Sequence, residues 1–253
     1  MLRHRMRFAA PLLVALVLAA CEDSEPPKNP FDPSPDAPKP FPRLSAAAEP
    51  QGPPDLSIDT VSVKIGPERA FLDKPTGSQD LNEALAKHAR FFEGTEVTLR
   101  VDRQAKLPWV SEYIATLAAR GATRVRVKTE TRPDFPGELL LTPAARAQEK
   151  PACSVVAMIM ADRGTAVWKL SGGTAGRRGK GMAGPDLTMT GDSIERVAKA
   201  CKESDAFFFS AANGVEWGLA YDLAASTRAL PKAKFDTLVL IPEAPVPGHS
   251  VEL

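Results

Sequence analysis

The chain has 253 residues, with 32 Lys and Arg against 31 Asp and Glu, so its formal charge is +1. That balance excludes the basic footprint of a nucleic-acid-binding domain. With 43% apolar and 25% charged residues the composition is that of a folded globular chain, and three cysteines with three histidines leave little material for a metal site.

Residues 1–20 carry Arg3, Arg5 and Arg7, then an apolar run over 8–20 interrupted by Pro11. This is the pattern of a secretory signal, and its core is short of the roughly 20 residues a spanning helix needs. Leu18-Ala19-Ala20-Cys21 resembles the lipobox of bacterial lipoproteins. The resemblance implies that Cys21 is the mature N-terminus and carries lipid, enough for stable anchoring. An ordinary secretory signal with an incidental cysteine is the alternative. Glu22 follows where inner-membrane lipoproteins typically have Asp, so the lipobox resemblance implies the periplasmic side of the outer membrane. Removing residues 1–20 leaves 29 basic against 31 acidic groups, a formal charge of −2. Residues 21–54 are rich in proline and lack apolar periodicity, which makes them a tether. About thirty extended residues at roughly 3.1 Å each reach on the order of 100 Å. With no other long apolar run in the sequence, the lipid is the expected membrane attachment.

The first globular segment is expected over residues 55–130. Leu56, Ile58, Val61, Val63 and Ile65 read as one strand with a bulge where the parity shifts, and Gly66-Pro67 turns into a short strand near residues 69–72. Asp80-Leu81-Asn82-Glu83 has the pattern of a helix start, with Leu81, Leu85, His88 and Phe92 on one face. Val97, Leu99 and Val101 alternate with polar residues as in a half-buried strand. Pro108 opens a helix carrying Trp109, Val110, Tyr113, Ile114 and Leu117, which Arg120-Gly121 ends. Val125 and Val127 alternate with Arg124, Arg126 and Lys128 in a further strand.

Residues 131–150, rich in proline, alanine and charge, read as a linker to a second segment over residues 151–253. That segment begins with a continuous apolar run over 155–160, suited to a strand buried on both faces, then a turn at Asp162-Arg163-Gly164 and a strand over 165–170. A glycine-rich loop over 172–184 precedes residues 186–190. Asp192-Ser193-Ile194-Glu195 is the expected start of a helix to about Lys202. Phe207 and Phe209 mark a strand, residues 216–229 a helix, and residues 235–241 a closing strand. Trp109 with Tyr113 and Trp217 with Tyr221 repeat a four-residue spacing near the start of a helix, and read first as core.

The strand ending in Val101-Asp102, then Lys106, Trp109-Val110, Leu117, Gly121-Ala122-Thr123 and the strand over 125–129, resembles the periplasmic domain of ExbD/TolR biopolymer-transport proteins. The second segment keeps the order of elements but has Ser210 in place of Asp102. The resemblance implies an α+β fold of two tandem small domains, each a β-sheet with two helices packed on one face. It also implies periplasmic contact with envelope proteins or peptidoglycan, and it leaves homodimerisation open. The family's proton-handling transmembrane helix is replaced here by a lipid and tether. The expected function is therefore a non-enzymatic interaction module of a transport or energy-coupling assembly; the alternative is a peptidoglycan-binding structural lipoprotein.

Among candidate site residues, Arg100, Arg124, Arg126 and Lys128 would form a basic stripe on the outer sheet face, for an acidic partner or simply as an exposed charged face. Cys153 and Cys201 would pair in an oxidising periplasm, or stay as two small buried residues. His88 and His249 join no nucleophile or metal pattern, so neither a catalytic residue nor a metal or other cofactor is expected. The run from Gly176 to Gly181 lacks the spacing of a phosphate-binding loop. A cleft with converging Asp102, Glu112 and Glu130 would bring a hydrolase back into consideration.

Overall fold

Alternating apolar residues over Glu96–Val101 produce a strand buried on one face and wet on the other, and the same rule extends across most of the first half of the protein. In the computed structural model, residues 52–182 and 184–253 are described. The expected signal, Cys21 and nearly all of the tether lie outside the described residues. In chain order the first half contains β1 (Leu56–Ile58), β2 (Val63–Ile65), β3 (Glu68–Ala70), α1 (Gly77–Ala86), β4 (Glu96–Val101), α2 (Leu107–Ala119), β5 (Arg124–Lys128) and β6 (Glu138–Leu141). The second half contains β7 (Val155–Ile159), β8 (Thr165–Lys169), β9 (Gly176–Arg178), β10 (Lys180–Gly181), β11 (Gly184–Pro185), α3 (Leu187–Lys199), β12 (Ala206–Ala211), α4 (Trp217–Ser226) and β13 (Thr237–Leu240).

The expectation of two tandem domains, each with its own sheet, is overturned. A single mixed sheet of 11 strands runs in the order β3-β2-β1-β4-β5-β6-β13-β12-β7-β8-β9, and β10 and β11 form a separate small ribbon. The two halves share one connectivity: an antiparallel three-stranded meander, a helix, a parallel strand, a second helix and a further parallel strand. They merge through β6, antiparallel to β5 and parallel to β13. Residues 131–150, expected as a linker, supply this joining strand.

Local chemistry accounts for the other departures. The expected bulged strand at residues 56–65 is a hairpin, because the Asp59 carboxylate accepts the Val61 and Ser62 N–H groups at 2.9 and 2.7 Å and closes the turn. Helix α3 begins before Asp192, since the Asp186 carboxylate accepts Met189 N–H at 3.0 Å and supplies the N-cap. Gly191 sits inside that helix where a Cβ would meet Leu230 Cδ2 at 2.9 Å. The glycine-rich run contributes β9, which pairs with β8 as the sheet's last strand. Helix α2 stops at Gly121, whose φ of 98° and close approach to Glu93 backbone exclude a side chain.

One face of the sheet carries α1 to α4 over a continuous core from Leu56 to Leu240. The two faces of the sheet differ between halves on the other side. Over β4 and β5 that side is polar and exposed, whereas over the second half Val156, Met158, Trp168, Phe208 and Val239 form a second core with residues of the C-terminal segment. Trp168 Nε1–H donates to the His249 carbonyl at 2.9 Å, and Val251 N–H to Leu170 at 3.0 Å, which fix that cover. Burying a large apolar side chain stabilises by about 1.5–3 kcal/mol, so Phe207, Phe208 and Phe209, all fully buried, anchor β12 strongly in the core.

Candidate functional site

The turns that follow β4 and β12 meet where the two halves join. Lys106 and Glu216, each the residue before its helix, pair as an antiparallel bridge. Trp217 N–H donates to Ala105 at 2.9 Å and Gly218 N–H to Arg103 at 2.7 Å, so the first turn of α4 is satisfied by the backbone of the other half. This correspondence sets Leu107 against Trp217 as first helical residues. The Trp/Tyr echo is thus offset by two positions, and all four aromatics are core: Trp109, Tyr113, Trp217 and Tyr221 are buried. Trp217 Nε1–H donates to Thr129 Oγ1 at 2.8 Å and Tyr221 O–H to the Pro136 carbonyl at 2.7 Å, both across the junction. Burial pushes the Tyr221 phenol up, with the Asp222 charge adding to it.

Asp222 is the most deeply buried acid of this region, its side chain only 4% exposed. Arg103 grips it with both terminal nitrogens at 3.0 and 2.8 Å, and also donates to the Glu130 and Gly218 carbonyls. Arg132 stands 3.5 Å from the same carboxylate. The hydrogen bond from Arg103 is the main reason its own pKa is raised, with burial working against it. A cation from the β4–α2 turn thereby neutralises an acid on α4, 119 residues later. No local signal in the sequence connects the two.

A crevice of about 730 Å³ lies at the carboxyl ends of β1, β4 and β5, where open α/β sheets commonly take ligands. Asp59, Asp102 and Glu130 line it, whereas Glu112 lies on α2. Two of its three carboxylates, those of Asp59 and Asp102, already have structural work. Asp102 accepts Gln104 N–H at 2.7 Å. Burial alone would raise the Asp59 pKa, but the Lys64 ammonium and the Val61 and Ser62 N–H groups outweigh that and hold it at about 2.

The expected basic stripe is present as a row but not as a field. Arg126 donates to Glu96 and Glu138 at 2.7 Å each, Lys128 lies 3.7 Å from Glu138, and Arg100 is 3.9 Å from Asp55. Only Arg124 of the four lacks an ion pair among the described residues. The stripe is one half of a cross-strand charge ladder, whose acids come from neighbouring strands.

Cys153 and Cys201 are joined in a disulfide, with Cα atoms 5.4 Å apart. Together with Glu203 they are the one group of three potential metal ligands found close together among the described residues, and the bond consumes both thiolates. His88 is buried, with Nδ1 unpartnered. No helix among the described residues is long and apolar enough to cross a membrane. No family model, no curated protein and no solved structure matches this chain.

Proposed function

We propose that this chain is a non-enzymatic interaction module of the bacterial envelope, lipid-anchored through Cys21 in the periplasm and serving a biopolymer-transport or energy-coupling assembly. The observation that carries the reading is the Cys153–Cys201 bond, since structural disulfides belong to oxidising compartments and the lipobox-like run at residues 18–21 directs the chain to one. The resemblance of residues 97–130 to the ExbD/TolR periplasmic domain supports the transport assignment, and those residues are the β4–α2–β5 unit. A binding rather than catalytic role is supported by the state of the acids in the strand-end region: Asp59, Asp102 and Asp222 each hold the fold together through hydrogen bonds or ion pairs.

Affinity purification of the tagged full chain from its own cells tests the reading. Recovery of membrane motor proteins is the expected result. Recovery of cell-wall fragments alone would instead establish the peptidoglycan-binding alternative. A Cys21→Ser variant should move to the soluble periplasmic fraction; if it stayed with membranes through a salt wash, the lipid anchor would be refuted.

A further inference from the structure

Five cations that take part in no ion pair among the described residues gather away from the expected stripe. A groove of about 740 Å³ lies between the C-terminal part of α3 and the segment leading into β13. Arg196, Lys199 and Lys202 line one side and Lys232 and Lys234 the other. All five are exposed, and none takes part in an ion pair among the described residues. The groove's acids are Asp192 and Glu195, and Glu195 is engaged by Lys232 N–H at 2.8 Å. Arg196 and Lys199 sit in the last turn of α3, where they offset the helix dipole. Lys202, Lys232 and Lys234 lie outside any helix and have no such reason to be there. Five cations against two acids leave the groove net positive, and a cleft with such an excess raises the local concentration of an oppositely charged partner.

The floor of this groove is apolar and stiff. Phe235, Ala233 and Cys201 are buried there, and Cys201 is tied by its disulfide to Cys153, two residues before β7. At Asp192, Glu195 and Lys232 the groove passes directly into a second, apolar depression lined by Phe135, Leu187, Leu230 and Pro231. Phe135, Leu187 and Leu230 are half-buried, each with a face open to solvent. An apolar pocket leading into two cationic walls matches one ligand chemistry better than others. A phosphate-rich or uronic polysaccharide has no use for the apolar pocket, and a bilayer surface cannot enter a groove. A polypeptide segment supplies both an anchoring apolar side chain and flanking carboxylates.

We infer that the α3 groove docks an acidic polypeptide segment with an apolar anchor, the anchor in the Phe135–Leu230 pocket and its carboxylates between the Arg196–Lys202 and Lys232–Lys234 walls. The inference rests on reading the chain as an interaction module, and names the surface and the kind of partner.

The probe is a fluorescent synthetic peptide with a Leu-Phe head and a glutamate tail, titrated by anisotropy against the mature full chain at low ionic strength. Replacing both Lys199 and Lys234 by Glu should weaken binding by tenfold or more, and Leu230→Asp should do the same through the other end of the site. Arg124→Glu, on the opposite sheet face, should leave binding within about twofold, and a glutamine-tailed peptide should bind at least tenfold less tightly. Circular dichroism of the Lys199/Lys234 double variant should match the parent chain, since both lysines are exposed, so that variant carries the test if Leu230→Asp disturbs the fold. The inference is overturned if the parent chain does not bind the acidic peptide, if the groove variants bind it unchanged, or if isolated sacculi or anionic vesicles show the groove dependence that the peptide lacks. Groove variants that still recover motor proteins from cells would also overturn it, while leaving the interaction-module reading in place.

Discussion

Replacing Arg103 by Met isolates the contact that most directly ties the halves together. The Asp222 carboxylate is 4% exposed, and it would lose two hydrogen bonds of 3.0 and 2.8 Å. Breaking a buried ion pair by removing one partner costs about 3–5 kcal/mol, because the survivor stays charged in a poorly solvated site. Arg132, 3.5 Å away and 58% exposed, can take up part of the charge, so the low end, about 3 kcal/mol, is expected. Asp222→Leu removes the acid and should cost less than Arg103→Met, and the double variant should recover about 2 kcal/mol relative to the sum of the singles. The assay is guanidinium unfolding followed by tryptophan fluorescence. Trp109 on α2, Trp168 on β8 and Trp217 on α4 report from both halves. All signals should shift to lower denaturant together. A loss under about 0.5 kcal/mol, strictly additive singles, or a first transition confined to one half would refute the reasoning.

Gly218→Ala separates local from tertiary control: helix propensity alone predicts a gain of about 1 kcal/mol, but a Cβ there would lie 3.0 Å from the Arg103 carbonyl oxygen, so a net loss of about 1 kcal/mol is expected in the same unfolding assay. Reduction of the Cys153–Cys201 bond, which spans 48 residues, should remove about 4 kcal/mol by the chain-entropy relation. Calorimetry with and without reductant should then show a fall in Tm of about 8–16 °C, and an unchanged Tm would count against a structural disulfide. Because the Asp59 pKa is depressed to about 2, its stabilisation is present above the ordinary value near 3.9 and is lost as the pH falls toward 2. Asp59→Asn should flatten that part of the acid-unfolding curve by under about 1 kcal/mol, the carboxylate being 34% exposed; an unaltered curve would show that Asp59 contributes nothing there.

Residues whose environment is set locally were legible in the sequence. The alternation over β4 and β5, the Pro108 start and Gly121 stop of α2, and the wholly apolar β7 are all visible as period and punctuation. What joins the halves was not, because it is non-local. Strand β6 is three leucines after a glutamate, flanked by prolines and glycine, and becomes a strand only because β5 and β13 offer it edges on both sides. The repeat in the element order was visible, but nothing in either copy shows that the sheets fuse. The basic stripe was readable as residue types; its neutralisation was not, since Glu96 and Glu138 reach Arg126 only through the sheet register. Arg103 and Asp222 give no hint of each other at a separation of 119 residues. The groove left one faint signal, the alternation of Lys232 and Lys234 about Ala233 just after Pro231, an unpaired cationic pattern that no secondary-structure rule requires.

Site-specific photo-crosslinking in the source cells tests the functional account most directly. A photoreactive residue placed at Lys199 or at Leu230 should give covalent adducts whose partner peptide maps to an acidic segment with an apolar anchor, while the same residue at Arg124 should give none. Adducts confined to Arg124, or adducts from the groove that map to cell-wall glycan or lipid, would contradict it.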